Sequence, residues 1–168
     1  MPRMRTILDL RIAGLGVILY SPFAVAHIRG GQDYLSEHYS DPADVARQVM
    51  DCGLTGFCTG SPGDYRVLLY DGPIDAAERE AERAIRLGVE VRDGRLCVRD
   101  LYDLMSWTNE CPSRQQLSVA DGFYRVTAYT SAPPSGIVGD YQDIGLHFEA
   151  VPQRPLLRWD GVPDLTCG

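Results

Sequence analysis

Three histidines, five cysteines and three close pairs of aspartates are the residues of this chain whose types could do chemistry. The histidines are His27, His38 and His147. Nucleophilic catalysis needs an imidazole within hydrogen-bond reach of a Ser or Cys, with a third group to orient it. The spacing assembles no such trio, and the sequence carries no Gly-x-Ser-x-Gly, His-Glu-x-x-His or phosphate-cradling glycine loop. A hydrolase would need the fold to carry His27 or His38 next to a nucleophile. His147 stands between Leu146 and Phe148 and reads as a residue on the polar face of a sheet.

The cysteines are Cys52, Cys58, Cys97, Cys111 and Cys167. An odd count without a C-x-x-C spacing argues against a disulfide framework and against a zinc knuckle. Buried thiols in a reducing cytosol are the expectation. The aspartate pairs are Asp140/Asp143, Asp100/Asp103 and Asp71/Asp75, all near strand ends. Ca²⁺ takes six or more oxygens, so these pairs would bind it only if their loops shared one end of the fold. Solvated turn aspartates are the plainer reading, with a Ca²⁺- or ligand-binding module as the alternative. No cofactor is implied.

Charge narrows the partners. Asp and Glu number 23 against 16 basic residues, a net charge of −7, and every basic residue is Arg. Nucleic acid and anionic lipid are held through clusters of positive charge, so neither is expected as a direct partner. A basic protein would be attracted.

The elements that must position these groups are mostly strands. Leu117–Glu149 is the centre: Phe123–Tyr129 is rich in β-branched and aromatic residues, and Ile144, Leu146 and Phe148 alternate on one face. Pro133, Pro134, Gly136 and Gly139 keep the loop between them irregular. Asp93-Gly94 and Asp121-Gly122 are tight-turn dipeptides, the first predicting a hairpin from a strand over Ala84–Arg92 into Leu96–Val98. Further strands are expected over Thr6–Ala13, Val17–Tyr20 and Tyr65–Tyr70, with a short apolar run at Leu54–Thr59. One helix is clear: Asp41 caps it, Pro42 takes the first position, Val45, Val49 and Cys52 share a face, and Gly53 ends it. Residues His27–Tyr39 read as a loop, Asp75–Arg83 as a helical turn, and Asp100–Trp107 as loop or helical turn. Trp107 and Trp159 read as packing residues. The whole predicts a mainly β protein: an antiparallel β-sandwich of about eight strands with one helical insertion, a single domain over 1–151 and a proline-rich tail over 152–168 laid on its surface.

The N-terminus has two readings. Arg3 and Arg5 before an apolar run, with Ala24-Val25-Ala26, suggest a cleaved signal and a secreted protein. Asp9 and Arg11 alternating with Leu8, Leu10 and Ile12 suggest a strand, and with it a cytoplasmic protein.

Helix, Gly-rich turn and strand, then Val89-Glu-Val-Arg-Asp-Gly-Arg-Leu-Cys-Val98, then Leu117-Ser-Val-Ala-Asp-Gly-Phe-Tyr-Arg-Val-Thr-Ala-Tyr-Thr130, together resemble the competence protein J family. The resemblance spans Val45 to Val151; the segment Glu78–Arg86 and the longer loop Ser131–Asp140 depart from it. It implies a small bacterial protein that inhibits a DNA-entry nuclease by binding it. The leading expectation is thus a non-enzymatic inhibitor or immunity-type protein, with a basic partner such as a nuclease or toxin. Asp140, Tyr141 and Asp143, on or next to the long loop, are the expected partner-binding residues.

Overall fold

Alternating patterns that each bury one face require a second layer to cover them, and this chain supplies it by splitting its strands between two sheets. The computed structural model describes residues 3–73 and 83–165. The strands, in chain order, are β1 (Arg3–Ile12), β2 (Gly16–Tyr20), β3 (Thr55–Cys58), β4 (Gly63–Asp71), β5 (Arg83–Val91), β6 (Arg95–Asp100), β7 (Gln116–Ser118), β8 (Gly122–Thr130) and β9 (Asp140–Val151). One sheet has the order β1-β4-β9-β8-β5 and the other β3-β2-β6-β7. Leu8, Leu10, Val67, Leu69, Leu87, Val126, Ile144 and Leu146 meet Val17, Leu19, Leu96 and Val98 in one buried core.

The mainly β sandwich therefore stands, but it is not wholly antiparallel. β4 and β9 pair in parallel, with Arg66 opposite Asp143 and Tyr70 opposite His147. The two Asp-Gly turns also differ from expectation. Asp93 and Gly94 both take left-handed φ, 62° and 68°, as a tight turn requires. Yet β5 pairs with β8 and β6 pairs with β2 and β7, so this turn passes the chain between sheets and closes no hairpin. Asp121-Gly122 does the same between β7 and β8. The two corners are tied together: the Gly94 N–H donates to Asp121 Oδ1 at 2.7 Å, and the Val119 N–H to the Gly94 carbonyl at 3.0 Å. Buried Ser21 clamps the first corner, its Oγ lying 2.7 Å from the carbonyl oxygens of both Arg92 and Arg95 and accepting the Arg92 N–H at 3.0 Å.

Helix α2 (Pro42–Met50) forms as its sequence predicts, with the Asp41 carboxylate accepting the Ala43 N–H at 2.8 Å. Its end differs. The left-handed residue is Cys52, at φ 57°, rather than Gly53. The reason is packing: the Cys52 sulfur sits over Gly88 of β5, where a Cβ would come within 2.7 Å of it. A second helix, α1 (Tyr34–His38), occupies part of the expected loop 27–39. It is one turn long, so apolar periodicity has no room to announce it, and the Asp33 side chain starts it by accepting the Ser36 N–H at 3.1 Å. Leu101–Met105 settles as a 3-10 turn. The helical turn expected over Asp75–Arg83 falls almost wholly outside the described residues.

The four-stranded sheet buries a charge. Arg99 of β6 is 2% exposed; its guanidinium lies 4.4 Å from the centre of the Trp107 ring, 2.8 Å from Asp103, 3.1 Å from the Tyr20 hydroxyl and 2.8 Å from the Thr108 carbonyl. Burial alone would lower its pKa, and the Tyr20 and Asp103 contacts more than offset this, leaving it raised. Residues 152–165 add no regular element, but they are more than a surface strap. Asp164 bridges to Cys58 of β3 in parallel, and Leu165 is buried in the core. Trp159 is half-buried and donates from Nε1 to the Arg86 carbonyl at 3.0 Å.

Trp107 both fills the core and covers the Arg99 charge, so Trp107→Ala should cost about 3–5 kcal/mol of stability. Urea unfolding followed by far-ultraviolet circular dichroism checks this, and a cost below about 1 kcal/mol would mean the region collapses onto Arg99 without it.

Candidate functional site

The long loop between β8 and β9 is held at both ends by one buried amide. Gln142 donates from Nε2 to Thr130 Oγ1 at 2.8 Å and to the Ser131 carbonyl at 3.2 Å, while its Oε1 accepts the Gly139 N–H at 3.0 Å. Between these anchors the loop folds on itself, with Gly136 N–H to the Pro133 carbonyl at 2.9 Å and Asp140 N–H to the Ile137 carbonyl at 3.1 Å. Gly63 and Gly139 let the start of β4 and the start of β9 touch backbone to backbone: a Cβ on Gly63 would collide with the Gly139 carbonyl, and one on Gly139 with the Pro62 carbonyl. Both have positive φ, at 148° and 89°.

Register breaks at this point. Asp64 faces Asp140 and Tyr65 faces Gln142, so Tyr141 is an extra residue bulged out of the parallel ladder. Its φ is 50°, the left-handed region that an aromatic L-residue rarely adopts. The bulge turns its ring to solvent, where it is 69% exposed, in company with exposed Ile137 and Val138. A cavity of about 590 Å³ opens beside it, lined by Ala132, Pro133, Pro134, Tyr141, Arg66 and Asp143.

The three residues expected to meet a partner are therefore neighbours on one end of the five-stranded sheet, but their states differ. Asp140 and Tyr141 face solvent. Asp143 is already engaged: Arg66 donates to both its carboxylate oxygens, at 2.7 and 2.9 Å. That hydrogen bonding, and then the attraction of the charge, raises the Arg66 pKa. Asp143 is thus a structural cross-strand partner, and a free negative charge is offered by Asp140.

The other aspartates do not gather with these. Asp100 accepts the N–H groups of Ala13 and Tyr102 at 2.8 and 3.0 Å, Asp103 pairs with Arg99, and Asp71 pairs with Arg5 at 3.2 Å. Asp75 falls outside the described residues. Among the described residues no three His, Cys, Asp or Glu side chains cluster as metal ligands do.

The histidines also separate. His27 and His38 both pack against the buried Tyr34 ring, at 5.6 and 5.1 Å between centres, and the Tyr34 hydroxyl donates to Gln48 at 2.8 Å. His147 lies on the outer face of the five-stranded sheet as its strand period requires, but it is buried, not solvated. Tyr70 stacks on it at 4.5 Å with the rings within 5° of parallel, and Tyr129 leans over it at 5.5 Å. Gly145 makes room for this arrangement, since a Cβ there would collide with the Tyr129 ring. Arg66–Asp143 and Arg125–Glu149 (2.9 Å) flank this aromatic centre as opposed cross-strand pairs.

A mixed five-stranded sheet packed on a four-stranded one, with two short helices between β2 and β3 and a long loop before β9, defines a class of small two-sheet β proteins. Two solved structures share it. One is the crystal structure of ComJ, inhibitor of the DNA degrading activity of NucA, from Bacillus subtilis, with a TM-score of 0.57 and 13% identity over 90% of this chain and 99% of that one. The other is crocagin biosynthetic gene J, with a TM-score of 0.51 and 14% identity over 89% of this chain and 98% of that one. No protein-family model matches the sequence, and no curated protein matches it. The resemblance read from the Asp-Gly and strand motifs holds at the level of the fold.

Left-handed backbone costs an ordinary L-residue about 1–2 kcal/mol, and glycine almost nothing. Tyr141→Gly should therefore leave stability unchanged or raise it by about 1 kcal/mol, because the exposed ring gives up little packing. Urea titration checks this; a loss of stability would show that the ring contributes to the fold instead of being displayed by it.

Proposed function

We propose that this chain is a non-enzymatic inhibitor that binds a nuclease through the loop 131–143, with Tyr141 as the central contact and Asp140 beside it. The observation that carries the reading is Tyr141 itself. The fold accounts for a bulged, exposed residue at this position, but not for an aromatic one at a left-handed φ of 50°, next to exposed Ile137 and Val138, where glycine would be free of strain. Aromatic residues that desolvate on binding supply most of an interface's energy, and this loop offers one already ordered. The shared fold with ComJ supports the choice of a nuclease as the partner class, since that protein inhibits the DNA degrading activity of NucA. The net charge of −7 supports a basic partner surface.

The two expected groups divide the work. Tyr141 buries apolar area and sets the dissociation rate. Asp140 contributes to the field that draws a basic surface in, and so sets the association rate and its dependence on salt. Asp143, already bound to Arg66, keeps β4 and β9 in register beneath them.

The test is inhibition of DNA cleavage by a NucA-type nuclease from the same organism, with affinity measured by titration calorimetry. Tyr141→Ala should weaken binding about 30-fold or more, the loss of about 2 kcal/mol typical of a central aromatic contact. Asp140→Asn should slow association a few-fold at low salt and little at high salt. Wild-type protein that leaves cleavage unchanged and gives no heat would sink the nuclease reading. Full inhibition by Tyr141→Ala at unchanged affinity would move the contact away from this loop.

A further inference from the structure

Cys97 and Cys111 are separated by a strand end, a 3-10 turn and an irregular segment, yet the fold brings them to one place. Cys97 lies in β6 opposite Gln116 of β7, and the Gln116 side chain donates to the Cys111 carbonyl at 2.6 Å. The Cys111 thiol itself donates to the Pro112 carbonyl at 3.7 Å. Both line a cavity of about 280 Å³ with Tyr20, Val25, Arg95 and Asn109. Cys97 is only 3% exposed, but this cavity gives a small molecule a route to its sulfur.

We propose that Cys97 and Cys111 form a peroxide-reactive thiol pair, Cys97 as the attacking sulfur and Cys111 as the resolving one, which closes to an intramolecular disulfide. The surroundings divide the roles. Thiolate at Cys97 is favoured first by the Cys111 thiol, then by the Tyr20 hydroxyl and the Arg95 and Arg99 charges; together these outweigh burial and lower its pKa. The neighbouring Cys97 sulfur, and then burial, raise the pKa of Cys111. Cys52 is the internal contrast: burial beneath α2 pushes its thiol up to about 11.

The chemistry closes in two steps. The Cys97 thiolate attacks one oxygen of a hydroperoxide, the O–O bond breaks, and hydroxide (or alkoxide) leaves, giving Cys97 sulfenic acid. The Cys111 sulfur then attacks the Cys97 sulfur, the S–O bond breaks, and water leaves with the Cys111 proton. Two thiols are oxidised by two electrons and one peroxide is reduced. Cys111 sits between 3-10 turns, outside any ladder, so no strand pairing fixes its backbone against the geometry a disulfide requires.

Reduced full-length protein treated with hydrogen peroxide, alkylated and digested provides the test. The expected product is a Cys97–Cys111 linked peptide pair, with Cys97 consumed about tenfold faster than Cys52. Cys111→Ser keeps a donor beside Cys97 but cannot resolve it, so a sulfenic acid should accumulate at Cys97 and be trapped by dimedone. Cys97→Ser should leave Cys111 unoxidised at the same peroxide dose. The comparison with Cys52 within the unmutated protein stands even where a variant folds poorly. Equal consumption of Cys97 and Cys52, a disulfide joining either sulfur to another cysteine, or preferential dimedone labelling of Cys111 would overturn the pair.

Discussion

The contact between the backbones of Gly63 and Gly139 is the constraint on which the end of the sheet that carries Tyr141 depends. β9 can run parallel to β4 only if the chain enters the ladder beside the start of β4, and any side chain at either glycine would fill the space that entry needs. The Asp64 N–H then donates to the Gly139 carbonyl at 2.9 Å, and the parallel pairing begins one residue later. Because the two backbones meet so closely, the extra residue has nowhere to go but outward. The bulge at Tyr141 follows from the approach of the two glycines, and its exposure follows from the bulge. Gln142 fixes the result by bonding to both ends of the loop.

A second constraint organises the other sheet. A guanidinium out of water is costly unless its donors are satisfied and its face is covered. Arg99 meets that demand with Asp103, the Tyr20 hydroxyl, the Thr108 carbonyl and the Trp107 ring. Those partners come from β2 and from the segment 101–108, so the irregular stretch after β6 is ordered by a charge and not by apolar burial alone. Behind the Cys111 thiol, the Tyr20 hydroxyl and the Arg95 charge, the Arg99 charge also adds to what favours thiolate at Cys97. One buried arginine thereby positions the covering loop.

Local signals in the sequence were good guides to local structure and poor guides to which strand meets which. The alternation of Leu8, Leu10 and Ile12 with Asp9 and Arg11 predicts β1, and the Asp41-Pro42 start predicts α2, because each depends on neighbours a few residues away. Asp93-Gly94 predicts a tight turn correctly, yet the turn type is the same whether the chain returns to its own sheet or crosses to the facing one. His147 misleads for a related reason. A polar residue in a strand reads as solvent-facing, and the rings of Tyr70 and Tyr129, supplied from other strands, cover this one. The place of Asp140 and Tyr141 at the end of the long loop is legible in the sequence; the pairing of Asp143 with Arg66, from a strand distant in sequence, is not.

The paired carboxylates change how the acidity of the chain should be understood. Asp143, Glu149, Asp71, Asp44, Glu90 and Asp103 each meet an arginine, and each pair contributes nothing to net charge. The −7 therefore resides in carboxylates outside such pairs, Asp140 among them. An approaching basic surface would feel those unpaired charges at the distance of a Debye length, while the pairs act only on contact. With the Asp143 charge spent inside the sheet, the loop presents an apolar ring flanked by a single free carboxylate. In the proposed complex that combination would need little desolvation of charge, and the free carboxylate would orient an encounter before the ring is buried.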